Sequence, residues 1–192
     1  MKIVVAVDSS EFSKLAIKHL SMSGLAMDAR VRFVHVMKKG QKATDVAASL
    51  SKVTSILTDA QAVETLYVEG NPADEILEMA SDWGAELIAV GTSDKRGIER
   101  LLMGSVSKTI LSKACCPVVI LRGKPAAINN VLATADDTES SAACLEWFSK
   151  QIWARSKGLA LLSVMHDLPH SFDSEFKSVE SASAMLLRKQ VE

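Results

Sequence analysis

Residues 91–107, GTSDKRGIERLLMGSVS, join an apolar, strand-like run, ELIAVG (86–91), to a helix-like run, SVSKTILSKA (105–114). Glycines stand at 91, 97 and 104, and serines at 105 and 107. A loop set between a strand and a helix in this way brings backbone N–H groups and a helix N-terminus to bear on a phosphate. Gly91 and Gly104 let the main chain come close to a ligand, and Ser105 and Ser107 add hydroxyls. The competing reading is structural: Gly91 turns the chain and Ser105 caps the helix. Asp94 and Glu99 lie in the same loop. An acid about 5 Å from a phosphate charge costs about 3 kcal/mol at an effective dielectric of about 20. Three arrangements relieve that cost. Lys95, Arg96 and Arg100 offset the charge, Asp94 holds a Mg2+ ion that bridges to the phosphates, or its side chain turns to solvent.

Outward from this loop the chain alternates strand and helix. KIVVAV (2–7) and RVRFVHVM (30–37) are rich in β-branched residues, as strands of a covered parallel sheet are. VETLYVEG (63–70), ELIAVG and CPVVILR (116–122) bring the count to five. SSEFSKLAIKHLSMSGLA (9–26) reads as a helix capped by Ser9 or Ser10, with Phe12, Leu15, Ala16, His19 and Leu20 at helical spacing. A second helix is expected over about 44–61, with Val46, Ala47, Leu50, Val53, Ile56 and Leu57 on one side. A third, NPADEILEMASDWGA (71–85), starts with Asn71 as cap and Pro72 in the first turn and stops at Gly84. With right-handed crossovers this order gives an α/β fold, a five-stranded parallel sheet with helices on both faces. Ligands of such sheets sit beyond the carboxyl ends of the strands, where the strand order reverses. Asp8, His35 to Met37, and Gly91 onward all fall at those ends.

GKPAAINN (123–130) has the composition of a linker. Beyond it, VLATADDTESSAACLEWF (131–148) lines up on IVVAVDSSEFSKLAIKHL (3–20) at an offset of 128. Asp8 then meets Asp136, Glu11 meets Glu139, Val34 meets Leu162 and Val36 meets Val164. The expected organisation is a complete domain over 1–122, a linker over 123–130, and a partial second copy over 131–192. That copy reads strand–helix–strand–helix, its last helix over SEFKSVESASAMLLRKQ (174–190). No glycine-rich loop follows Asp136 and Asp137, so no nucleotide is expected there. Two parallel strands cannot cover their own apolar faces, so this fragment must lean on something.

The 192 residues carry a net charge of -1 and are 48% hydrophobic, which supports a real core. No single-sign block points to nucleic acid or to an anionic membrane as a partner. No stretch approaches the roughly 20 apolar residues of a membrane span, and the run in MKIVVAVDSS is too short for a signal peptide. The three cysteines, Cys115, Cys116 and Cys144, suggest neither a disulfide framework nor metal-ligand spacing. A cytoplasmic location is the simplest expectation. Cys115 and Cys116 precede Pro117 at the mouth of a strand and are expected to be buried rather than reactive. His19 and His35 lack a Ser or Cys partner and are expected to pack on helix and strand faces.

With these pieces assembled, the chain resembles the universal stress protein family in its tandem form. The likeness covers residues 1 to about 122 as one domain and about 129 to 192 as the first half of another. The family's nucleotide-binding variety carries G-x2-G-x9-G-[ST] after strand four. Gly91 fills the first position and Gly104–Ser105 the last pair, while Asp94 stands in place of the second glycine. VEGNPADEIL (68–77) and ACCPVVILR (114–122) also match the family's look. The resemblance implies an adenine-nucleotide site for ATP or ADP. Asp8 would contact the nucleoside, the Val36 backbone would read the adenine edge, and Gly91, Gly104, Ser105 and Ser107 would hold the phosphates.

The resemblance further implies a stress sensor or regulator without dedicated catalysis. If Asp94 has retired the site, it implies a nucleotide-free scaffold that acts through dimerisation or partner binding. Family members often pair through strand five, here 117–121, which implies a homodimer. Two other five-stranded βα folds fit poorly. A phosphoacceptor receiver domain has a Lys-Pro after strand five, like Lys124–Pro125, but Glu69 is a poor phosphoacceptor at the end of strand three. An adenylating enzyme needs a glycine-rich loop after strand one, and VDSSEFSK (7–14) has no glycine.

Overall fold

The computed structural model describes residues 1–8, 10–38, 40–92, 104–151, 154–155 and 157–163. The chain divides into two compact units, Met1–Ala127 and Ile128–Glu192. In the first unit the order is β1 (Lys2–Val7), α1 (Glu11–Ser23), β2 (Arg30–Met37), α2 (Ala43–Thr54), β3 (Ala62–Glu69), α3 (Pro72–Trp83), β4 (Leu87–Gly91), α4 (Ser105–Lys113) and β5 (Val118–Leu121). The five strands are all parallel and lie in the order β3-β2-β1-β4-β5. The chain leaves β1 for β2 on one side and returns through β4 on the other. The order therefore reverses between β1 and β4, which is where a parallel sheet opens a crevice.

Alternation along the strands sorts the core into two layers. Val4, Val34, Ile88 and Val90 point to one face and pack with Ala73, Ile76 and Ala80 of α3 and Ile110 of α4. Ile3, Val5, Phe33 and Ala89 are fully buried on the other face, where Ala16, Ile17 and Leu20 of α1 are also enclosed. Full burial of one such side chain contributes about 1.5–3 kcal/mol. This two-sided cover explains the near-continuous apolar runs in β1 and β4.

Local signals explain the ends of the elements. Asn71 caps α3 by accepting the Ala73 N–H at 3.0 Å, Pro72 opens it, and Gly84 closes it with a left-handed backbone at φ 63°. At the amino edge of the sheet, the Lys2 ammonium donates to the Trp83 carbonyl at 2.9 Å, satisfying the C-terminal end of α3. Arg32 lies 4.2 Å from the Trp83 ring centroid and bonds Glu64 at 2.9 Å.

Several expectations need correction. The inner face of α1 is Ser13, Ala16, Ile17, Leu20 and Ser23, while Phe12 and Leu15 reach solvent. Reading apolar residues alone turned the helix too far, because Ser13 is buried for a polar reason given below. His19 bonds the Lys124 carbonyl through its ring Nε2 and is not a packing residue alone. The second helix ends at Thr54, well before residue 61. Beyond Thr54 the backbone ties itself to the start of β2, with Asp28 N–H on the Asp59 carbonyl and Gln61 N–H on that of Ala29. A continuing helix would forfeit those bonds. The side chain of Val53, expected on the apolar side of this helix, lies outside the described residues. Ser105 is the first helical residue of α4 and not its cap, which is Gly104. Cys115 is exposed and Cys116 half-buried, contrary to the expected burial of both.

The described part of the second unit comprises β6 (Asn130–Thr134), α5 (Glu139–Ser149) and β7 (Gly158–Leu162). β6 thus starts at the last residue of the expected linker. β6 and β7 pair in parallel with Val131 opposite Leu159 and Thr134 opposite Leu162. Ile3 opposite Val31 and Ala6 opposite Val34 in β1 and β2 give the same register at an offset of 128. The backbone bond from Arg30 N–H to the Met1 carbonyl likewise recurs as Gly158 N–H to the Asn129 carbonyl. α5 buries none of its residues, and Leu132 is 64% exposed. Val164 and the expected helix over 174–190 lie outside the described residues.

Candidate functional site

The carboxyl ends of β1, β2 and β4 carry the residues on which a ligand site would be built. Asp8 follows β1 immediately. Its Oδ1 accepts from the Ser10 N–H at 3.0 Å, the Ser10 hydroxyl at 2.5 Å and the Ser13 hydroxyl at 2.6 Å. The Asp8 N–H in turn donates to Ser13 Oγ at 2.8 Å. Ser10 is also the N-cap of α1, its hydroxyl accepting the Ser13 N–H at 3.3 Å. One carboxylate oxygen is therefore fixed to the helix start. Among the described residues the other, Oδ2, has no hydrogen-bond partner and is available to accept from a ligand hydroxyl.

Desolvation against the strand ends pushes the Asp8 carboxyl up. The Ser10 and Ser13 hydroxyls, the Ser10 N–H and the nearby His35 ring outweigh it and hold the carboxyl below its ordinary value. The group is thus a fixed anion at neutral pH, suited to accepting and not to giving a proton.

His35 closes the floor of this corner. It is 2% exposed, and its Nδ1–H donates to the Val7 carbonyl at 3.1 Å. Nε2 lies 3.5 Å from Gln41 Oε1, which also accepts the Lys38 N–H at 3.0 Å. The ring meets Tyr67 at 6.2 Å in a tilted contact. The β1–β2 ladder ends with Val7 opposite His35. From Val36 onward, the side of β2 that faces β1 is therefore unpaired, while the other side continues on β3 with Val36 opposite Val68. Main-chain groups at Val36 on that side have no partner on β1.

On the other side of the reversal point, Gly91 ends β4 and Thr92 N–H extends the ladder to the Leu121 carbonyl at 3.1 Å. A Cβ at Gly91 would lie 2.8 Å from the Ala16 Cβ and 3.3 Å from the Phe12 carbonyl oxygen. The glycine is needed for the close approach of α1 to β4, a packing role that the sequence pattern alone does not show. Gly104 is different. It has an extended backbone with φ -61° and ψ 156°, and among the described residues it has no side-chain cap and nothing within 4 Å of a Cβ placed on it. Among the described residues no side chain caps the first-turn amides of α4, and the positive end of the helix dipole lies behind them. Ser105 is exposed beside them, and Ser107 is 5% exposed on the inner side of the same turn. Asp94, with Lys95, Arg96, Gly97, Glu99 and Arg100, lies outside the described residues.

The fold thus gathers Asp8, Val36, Gly91, Gly104, Ser105 and Ser107 along one edge of the sheet. Sequence reading took Ser10 only as a helix cap and His35 only as a packing residue, and it did not single out Ser13. A signal for the two serines existed. When the chain is aligned on itself, Ser10 meets Thr138 and Ser13 meets Ser141, so both positions keep a hydroxyl. In the second unit, Asp136 Oδ1 accepts from the Thr138 N–H at 3.1 Å, the Thr138 hydroxyl at 2.6 Å and the Ser141 hydroxyl at 2.5 Å. Those bonds lower the Asp136 carboxyl to about 2. Among the described residues, no three His, Cys, Asp or Glu side chains group as metal ligands. No helix among them is long and apolar enough to cross a membrane.

Comparison with known proteins agrees with this fold. The model of the universal stress protein family matches residues 1–122. A universal stress protein of Methanocaldococcus jannaschii is 29% identical over 143 residues, covering 63% of this chain and 81% of that protein. Among solved structures, a universal stress protein in complex with cAMP superposes with a TM-score of 0.53 at 24% identity. It covers 62% of this chain and 94% of its own. A second, from Archaeoglobus fulgidus, reaches a TM-score of 0.66 at 17% identity and covers 95% of this chain and 73% of its own.

Proposed function

The chain belongs to the universal stress protein family, and from that premise we propose that its first unit binds ATP or ADP at the carboxyl edge of the sheet. The observation that carries this is the pairing of two unlike, unsatisfied features across the reversal point. Asp8 is anchored through one oxygen and offers the other, while α4 presents an uncapped N-terminus at Gly104. A ribose hydroxyl donates to Asp8, main-chain groups at Val36 hold the adenine edge, and the phosphates take the amides of α4 with Ser105 and Ser107. The related structure that contains cAMP supports an adenine ligand for this fold. A Mg2+ ion between Asp94 and the phosphates would reconcile that acid with the ligand.

The unit acts as a sensor or regulator in the cytoplasm and carries no dedicated catalysis. Asp8, held ionised, is no proton donor, and the Ser10 and Ser13 hydroxyls are engaged on its carboxylate. We further propose that residues 131–192 are a partial second copy of the family domain. The recurrence of the β1–β2 register and of the Asp8 hydrogen bonds at Asp136 supports this, as does the structure that aligns with 95% of the chain. A homodimer through residues 117–121 completes the proposal. β5 is an edge strand, and its sequence VVIL has no charge to oppose pairing. If the nucleotide site has been retired, this surface is what the scaffold reading retains. Thermal melts of the full chain with ATP, ADP and GTP discriminate the two: adenine nucleotides raise the melting temperature and GTP does not. Equal melts with all three would overturn the nucleotide reading.

A further inference from the structure

The sheet face that carries Phe33 and His35 is covered unevenly. Val46 and Leu50 of α2 are buried in the core, but α2 leans on α1 and stands off the edge strand β3. The gap is a groove of about 370 Å³. Its floor is Val63, Thr65 and Tyr67, alternate residues of β3 and therefore on one face of that strand. Its wall is Ala47, Ser51 and Thr54, which recur at helical spacing along α2. A helix that seals a sheet fills such a gap with large apolar side chains. Here the wall residues are small, and two of the three carry hydroxyls.

The hydroxyls divide by side. On the helix, Ser51 Oγ donates to the Ala48 carbonyl at 3.4 Å and Thr54 Oγ1 to the Ser51 carbonyl at 3.2 Å. Each proton is spent on the main chain, so each oxygen offers lone pairs to the groove. On the strand, the Thr65 and Tyr67 hydroxyls have no hydrogen-bond partner among the described residues and are free to donate. Desolvation holds the Tyr67 hydroxyl above its ordinary value, which keeps the proton in place through the neutral range. The groove thus sets a donor on its floor against acceptors on its wall, with the apolar Val63 and Leu57 beside them.

We propose that this groove is a binding site for a neutral aromatic amide. The amide carbonyl accepts from Tyr67, its N–H groups donate to Ser51 and Thr54, and the ring rests on Val63 and Leu57. A volume near the lower end of the roughly 300–1,000 Å³ of ligand pockets suits one or two fused rings. Charge works against a carboxylate of the same shape. None of the residues lining the groove is charged, so an anion would surrender its hydration without meeting a counter-ion. The groove lies on the α1 and α2 side of the sheet, whereas α4 packs on the other, so the proposal does not depend on the nucleotide reading.

The test uses the full chain and para-fluorobenzamide, followed by fluorine NMR and by the carbon resonance of labelled tyrosine. Tyr67 is the only tyrosine, so one resonance reports the groove and should move saturably with the amide. Para-fluorobenzoate and para-fluorotoluene should each bind at least tenfold more weakly. Tyr67→Phe should weaken the amide roughly two- to tenfold, the worth of one hydrogen bond. Because that hydroxyl bonds nothing among the described residues, the variant should melt with the wild type, which separates loss of the site from loss of the fold. Ala47→Leu fills the wall and should abolish binding. A tyrosine resonance that does not move, equal binding of the benzoate or the toluene, or amide binding untouched by either variant would overturn the proposal.

Discussion

Replacing Gly104 by aspartate separates the two roles a helix N-terminus can have. Gly104 is the N-cap of α4, its backbone is already extended, and among the described residues a Cβ there meets nothing within 4 Å. An aspartate at this position enters without a clash and accepts the Val106 or Ser107 N–H. The gain over glycine as a cap is a few tenths of a kcal/mol. The charge at the positive end of the helix adds about 0.3–1 kcal/mol. The sum, about 0.5–1.3 kcal/mol, should raise the melting temperature by roughly 2–6 °C for a unit of this size. The same side chain occupies the amides meant for phosphate and sets a negative charge about 5 Å from it. That charge costs about 3 kcal/mol, or roughly two decades of affinity. Thermal melts and ATP titration of Gly104→Asp should therefore move in opposite directions. A variant that is more stable and binds ATP as well as the wild type would refute the placement of phosphate at α4. A destabilised variant would refute the description of an open, uncapped N-terminus.

Two further outcomes follow from the same physics. Gly91→Ala should cost about 1–3 kcal/mol in denaturant unfolding, because its methyl group would meet the Ala16 Cβ at 2.8 Å and force α1 away from β4; a neutral result would show that this contact yields freely. Asp136 should titrate near pH 2 against an ordinary 3.8. Because its carboxyl is depressed in the folded state, its contribution to stability is present above pH 3.8 and is lost as the pH falls through about 2. Carboxyl NMR should show that midpoint, moving up toward 3.8 in Ser141→Ala; an unshifted midpoint would mean that the hydroxyl bonds do not hold in solution.

How much of this was legible depended on where the information is local. The runs KIVVAV and RVRFVHVM give β1 and β2 at their observed bounds, because both faces of these strands are covered and most of their residues are apolar, many of them β-branched, for that reason. Asn71, Pro72 and Gly84 set α3 because caps act within one turn. The inward side of α1 was not legible from apolar spacing. Ser13 is buried to hold Asp8, and Phe12 and Leu15 face out, so polar bonding at the site overrode hydrophobic sorting. The end of α2 was lost for a similar reason, since Asp59 and Gln61 bond residues about 30 positions earlier in the chain. At the site, the motif found the right glycines but not their separate work. Only the contact with Ala16 reveals that Gly91 serves packing, whereas at Gly104 no described residue lies within 4 Å of an added Cβ.

The most direct measurement is a calorimetric titration of ATP and ADP into the full chain, with and without Mg2+, beside the same titration of Asp94→Gly. The account predicts saturable heat for the wild type, strengthened by Mg2+, and binding by the glycine variant that no longer depends on the ion. Absence of heat from a folded wild type, with binding restored by Asp94→Gly, would contradict it and leave the scaffold in its place.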